Sequence, residues 1–372
     1  MSNFIEEFKK GQVGKNKGLP FGESFSALEK DLLGVQRGKM FTVAGGEKTG
    51  KTTFTDYIFV IQPYLYALEN NIPVKWIYYS FEISRVNKEF DFMCYFLYHD
   101  FGVYEITLPE GITRNGQNKI QLSSSYLKGH LVDDNGNVIK VSERLLDAIK
   151  TTYSKRITPL FGEYDRNGLL IKEGLIRIRE RADNPTGIYK DLIAYAKETG
   201  TLYADNYNRP ISYVPKDENS YTIVVIDHIR KLVPERGWQM KQTIDKMSEY
   251  IVILKSLLNF AFVPIIHTNR GLTNIDRLSY FKSDLYPTAE DLKDSGNLGE
   301  DCDYLLTLFN PNDDKYNLKE HFGLKIKDNS GNPLFPNLKT IHLVSSRHCE
   351  FPKHYAINMF GNIKEFVKIN NK

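Results

Sequence analysis

Gly45-Gly46-Glu47-Lys48-Thr49-Gly50-Lys51-Thr52 reads G-x-x-x-x-G-K-T, and Thr53 continues into a helix-like run. An apolar stretch runs straight into the motif, so it has the surroundings of a phosphate-binding loop. Glycines let the backbone turn tightly enough for successive N–H groups to face phosphate oxygens, and the helix that follows adds its positive end. The loop from Gly45 to Thr53 is therefore expected to bind a nucleoside triphosphate. In it Lys51 neutralises the β- and γ-phosphates and Thr52 holds Mg²⁺. The bland alternative is an ordinary Gly-rich turn, which needs neither the strand before it nor the helix after it.

Three more polar residues stand at the ends of apolar runs. Ile223-Val-Val-Ile226-Asp227 is a hydrophobic strand closing on a carboxylate, the form taken when an Asp must reach Mg²⁺ at a strand's carboxyl end. Glu82, in Ser80-Phe-Glu-Ile-Ser84, ends another strand and could orient an attacking water as general base. It could equally be a helix-start carboxylate with local backbone contacts. His267 follows Val-Pro-Ile-Ile and could hydrogen-bond a γ-phosphate and report its loss, or be satisfied locally.

The elements that must position these groups alternate strand and helix. Met40–Ala44, Pro73–Ser80, Ile223–Asp227 and Val263–His267 read as strands, and Thr52–Asn70 and Thr243–Phe260 as amphipathic helices. Strand, helix, strand implies right-handed parallel crossovers and hence an α/β sheet. The block at about 100–220 reads differently. Asp133-Asp-Asn-Gly136 and Asp165-Arg-Asn-Gly168 look like hairpin turns, and helices open after Ser142 and Asn184. An inserted α+β elaboration projecting from the core is expected there. Residues 1–16 read as a polar N-terminal arm and 17–372 as one P-loop domain.

Composition narrows the class without choosing a partner. The chain has 372 residues, 41% hydrophobic and 26% charged, as in ordinary globular proteins. No run approaches 18 uninterrupted apolar residues and the first ten residues lack a signal-peptide pattern, so no membrane role and a cytoplasmic location are expected. Cys94, Cys302 and Cys349 lie far apart without metal spacing, which fits a reducing compartment. A net charge of +3 does not by itself announce a nucleic-acid binder.

Taken in order, the motifs resemble those of the RecA-like ATPase domain of DnaB-type hexameric replicative helicases, including phage-encoded relatives. Leu33-Gly-Val-Gln-Arg-Gly38-Lys resembles the family's lead-in, Tyr79-Ser-Phe-Glu82-Ile-Ser84 its catalytic-glutamate segment, Val225-Ile-Asp227-His228 its metal-binding motif, and Pro264-Ile-Ile-His267-Thr-Asn-Arg270 its phosphate sensor. The resemblance implies a mainly parallel sheet flanked by helices, with a C-terminal β-hairpin. It implies a hexameric ring that hydrolyses ATP at subunit interfaces and moves along single-stranded DNA. Primase and other replication proteins are its implied partners.

Leu343-Val-Ser-Ser-Arg347-His348 is similar to the hairpin that inserts an arginine finger into the neighbouring subunit, which implies a catalytic role for Arg347. Pro287–Gly296 is similar to the segment that touches the strand, which implies nucleic-acid contacts at Lys293, Asp294 and Gly296. This chain departs from the family in having Lys293 where an arginine is usual and Ser345 where a lysine is usual. With 16 residues ahead of the core, no N-terminal primase-binding domain is expected. Two other readings stay open: a recombinase-like or loader ATPase on single strands, and a nucleotide-gated protein-binding module.

Overall fold

The computed structural model describes residues 12, 17–269, 272, 275–292 and 296–369. Its centre is a nine-stranded sheet. In chain order the strands are β1 (Phe41–Gly45), β2 (Val74–Ser80), β3 (Ile176–Arg179), β4 (Tyr221–Asp227), β5 (Ala261–His267), β6 (Tyr304–Phe309), β7 (Leu338–Ser346), β8 (Lys353–Phe360) and β9 (Glu365–Lys368). Across the sheet they run β9-β8-β7-β6-β1-β5-β4-β2-β3. All neighbours from β6 to β3 are parallel, and β6 to β9 pair antiparallel.

Why this sheet is parallel can be read from its side chains. Along β4, Ile223 and Val225 join one buried cluster while Val224 and Ile226 join the other, and β2 alternates likewise with Trp76 and Tyr78 against Ile77 and Tyr79. Successive side chains point to opposite faces, so a strand apolar at every position must be covered on both. The helices α1 (Ser26–Leu32), α2 (Lys51–Asp56, continued by a π-helical turn Tyr57–Ile61 and by Gln62–Asn70), α3 (Arg85–Phe101), α4 (Pro185–Thr199) and α5 (Met240–Leu258) supply that cover. At the π turn the Phe59 carbonyl accepts from Trp76 Nε1 at 2.8 Å, which satisfies a donor buried beneath the sheet.

The 100–220 block contains the expected mixture of helices and hairpins, but it does not simply project. Ile176–Arg179 adds an edge strand beside β2, and α4 packs Ile188 and Leu192 into the same cluster as β4 and α5. Asp191 on α4 accepts from Tyr79 Oη at 2.8 Å and pairs with Arg179, tying the block to β2. Its hairpin turns share a device. Asp133 and Asp165 each accept two backbone N–H groups through Oδ1, two and four residues on. Asp205 and Asp328 repeat it at turns that the sequence reading did not anticipate. Among the described residues no helix is long and apolar enough to cross a membrane.

Candidate nucleotide site

The P-loop connects β1 to α2. Its geometry explains the glycines: a Cβ on Gly45 would lie 2.8 Å from Thr49 Oγ1 and 2.9 Å from the Leu308 carbonyl, and Gly50 has φ +92°. Lys51 opens α2 and is buried, with Nζ donating to the Gly46 carbonyl at 2.6 Å and to His267 Nδ1 at 3.3 Å. Burial pushes its pKa down to about 8 against the pull of Asp227, Glu82 and Glu47.

Register brings the remaining groups to the same rim. Gly45 stands opposite His267, and Asp227 opposite Ser80, so β1, β5, β4 and β2 all end at one carboxyl edge. This is where ligands sit in open parallel sheets. Thr52 Oγ1 donates to Asp227 Oδ2 at 2.9 Å. Asp227 is buried, and burial raises its pKa although Lys88 opposes the shift. A hydroxyl beside a buried carboxylate at a helix N-terminus is the donor set that Mg²⁺ uses together with phosphate oxygens and waters. Thr52 and Asp227 therefore fit Mg²⁺, and Gly45 to Thr53 fit the phosphates.

Glu82 lies just beyond β2, exposed, with Oε1 3.1 Å from His228 Nε2 and 3.6 Å from Lys231 Nζ. His267 is half-buried; desolvation, with Lys51 and His228 nearby, pushes its pKa down to about 4. It is neutral at pH 7, and with Nδ1 facing Lys51 its N–H is on Nε2. The structure thus gathers Lys51, Thr52, Asp227, Glu82 and His267 along one rim.

Arg347 is not on that rim. Ser346 pairs with Tyr304 at the start of β6, whereas Gly45 pairs with Leu308 four positions on, roughly 13 Å along the strands. Arg347 is exposed and donates from Nη2 to the Glu300 carbonyl at 2.6 Å. It is far from the P-loop of its own chain. Lys293 and Asp294 lie outside the described residues, and Gly296 begins a short helix, Gly296–Asp301.

Behind the rim lies a group of residues that the sequence reading passed over. Asp56 on α2, fully buried, meets Lys88 Nζ at 3.2 Å, Lys364 Nζ at 2.9 Å and the Tyr78 hydroxyl at 2.8 Å. Lys88 Nζ also lies 4.0 Å from Asp227 Oδ2. Burial alone would raise the Asp56 pKa, but Lys364 and Lys88 outweigh it and hold the carboxyl below its ordinary value. A signal existed for Lys88: it occupies the helical stripe of Phe92, Tyr95 and Phe96. His228 is simply the residue after Asp227 in its motif, and its contact with Glu82 joins segments far apart in sequence.

No protein-family model matches the sequence, and no curated protein does. Solved structures do. The chain aligns over 99% of its length with 98% of a solved ATPase domain, at 13% identity and a TM-score of 0.63. It aligns, again over 99% of its length, with 66% of a DnaB-like replicative helicase studied for its interactions with primase, at 13% identity and a TM-score of 0.61. The likeness is one of architecture, and it gives the chain the RecA-like α/β fold seen in the ATPase domain of a DnaB-like helicase.

Proposed function

We propose that the chain is an ATP-driven motor, a ring-forming DNA helicase or translocase of replicative type that works on single-stranded DNA. One observation carries this reading. The phosphate-binding, metal-fitting and base residues converge on one rim, while Arg347, the cation that would complete the site, sits at the other end of the sheet. Such a division suits a site shared between two copies of the chain. Residues 17–372 would form one ATPase unit preceded by an arm at 1–16, in the cytoplasm.

In this mechanism the backbone of Gly45 to Thr53 cradles the phosphates and Lys51 moves from the Gly46 carbonyl onto the β/γ oxygens. Thr52 and Asp227 would hold Mg²⁺, which would neutralise phosphate charge when bound. Glu82 accepts a proton from the attacking water as the water oxygen bonds to the γ-phosphorus and the bond to the β–γ bridging oxygen breaks. His267 donates through Nε2–H to the γ-phosphate, and Arg347 of a neighbouring copy balances charge in the transition state. Loss of phosphate then shifts the channel segment that includes Lys293, Asp294 and Gly296 along the strand's phosphates.

The deciding experiment is ATP turnover with and without single-stranded DNA, alongside unwinding of a forked duplex and sizing with nucleotide. A ring-sized species is expected together with stimulation by DNA and unwinding, and Lys51→Ala should lose the last two. Turnover indifferent to DNA would sink the motor and favour a nucleotide-gated module. DNA-stimulated turnover without unwinding would favour a recombinase-like or loader ATPase.

A further inference from the structure

His228 faces the rim from the residue after Asp227, and nothing in the mechanism above uses it. Its side chain is buried. Nδ1 accepts the Arg230 backbone N–H at 3.3 Å, so the ring proton of the neutral imidazole sits on Nε2. That N–H points at Glu82, and donates to Oε1 across 3.1 Å. The other contact of the ring is with His267, edge to face, with centroids 4.5 Å apart and planes at 82°. His267 in turn accepts from Lys51 Nζ. A continuous path therefore runs from the phosphate-binding lysine through two packed imidazoles to the carboxylate of the base.

We propose that His228 is a positioning residue for Glu82: its Nε2–H sets where the carboxylate stands, and its packing on His267 ties that position to whether nucleotide occupies the P-loop. The inference rests on the reading of Glu82 as the base. Glu82 is exposed and follows the end of a strand, where an unrestrained side chain samples several rotamers. A charge-assisted hydrogen bond from a buried, tautomer-locked donor removes that freedom. When Lys51 leaves His267 for a phosphate, the His267 ring loses a partner at Nδ1 and can turn. His228, packed against it at 4.5 Å between centroids, shifts with it. The base would thus be set for the attacking water once a triphosphate occupies the P-loop.

The test uses the full chain with His228→Ala, His228→Gln and Glu82→Gln, read by steady-state ATP turnover and by equilibrium binding of a fluorescent ATP analogue. His228→Ala is expected to lower kcat roughly tenfold or more, since small misplacements of a catalytic group are costly. KM and analogue affinity should stay within about twofold, because ground-state binding is untouched. His228→Gln keeps an N–H donor near the Nε2 position and should recover most of kcat. Against the residual rate of Glu82→Gln, His228→Ala should cost nothing more. The proposal is overturned by a His228→Ala kcat equal to or above wild type while Glu82→Gln is inactive, or by His228→Gln being as impaired as His228→Ala. A different failure is separable: Glu82→Gln turning over at the wild-type rate removes the base itself, whatever His228 does.

Discussion

Burial sets Lys51 up to respond to an incoming phosphate. Its two hydrogen-bond partners are neutral, a carbonyl and an imidazole, and burial has brought its pKa to about 8. Triphosphate oxygens would favour the ammonium and raise that value on binding. A group whose pKa is higher in the bound state binds with full strength below its free pKa and loses affinity as pH rises beyond it. Nucleotide affinity should accordingly be flat between pH 6.5 and about 8 and weaken above, with proton uptake measurable by calorimetry in buffers of different ionisation enthalpy. Lys51→Arg, which does not titrate in this range, should abolish the slope even where it lowers affinity. At this scale the sequence was most legible: Lys51 and Thr52 stood out by motif spacing, and Asp227 by closing an apolar strand. His228 did not, because its role depends on a contact made across the sheet's rim.

Four elements meet at one buried carboxylate. Asp56 comes from α2, Tyr78 from β2, Lys88 from α3 and Lys364 from the turn before β9. Desolvating such charges is expensive, so the arrangement is better understood as fixing geometry than as adding net stability. It locks the helix that carries the P-loop to the strand beside Asp227 and to the C-terminal hairpin. Lys364→Met would leave Asp56 with one ammonium fewer, and should cost on the order of 3 kcal/mol, read as a lower urea midpoint at unchanged slope. A joint Asp56→Asn, Lys364→Met variant should cost less than the sum of the single changes. The acid dependence follows from the depressed Asp56 pKa: its stabilisation is present above the unfolded value of 3.8 and is lost as pH falls through the folded one. Existence and type of the main strands were legible from their apolar runs. The edge strand Ile176–Arg179 was not, since four residues of alternating Ile and Arg become a strand only when β2 offers an edge to pair with.

For the whole molecule the decisive feature is the separation of Arg347 from the P-loop of its own chain. If sites are shared, Lys51→Ala and Arg347→Ala should each be inactive alone. Mixed before assembly they should regain turnover, because an Arg347→Ala P-loop can meet the intact arginine of a Lys51→Ala neighbour. No recovery, with both variants still forming rings, would show that each site is complete within one chain. Turnover per subunit should also rise with protein concentration as rings assemble. Single-stranded DNA affinity should fall steeply with salt, and Lys293→Ala should reduce that slope by about one. The sequence by itself determined the G-x-x-x-x-G-K-T loop and the α/β architecture, because the loop is a local spacing and uniformly apolar strands follow from period. Only the tertiary structure decided which groups share a rim, that Glu82 meets His228, that Asp56 is gripped by two lysines, and that Arg347 lies at the other end of the sheet. Those facts depend on strand order and register, and which residues tens to hundreds of positions apart come into contact leaves no periodic trace along the chain.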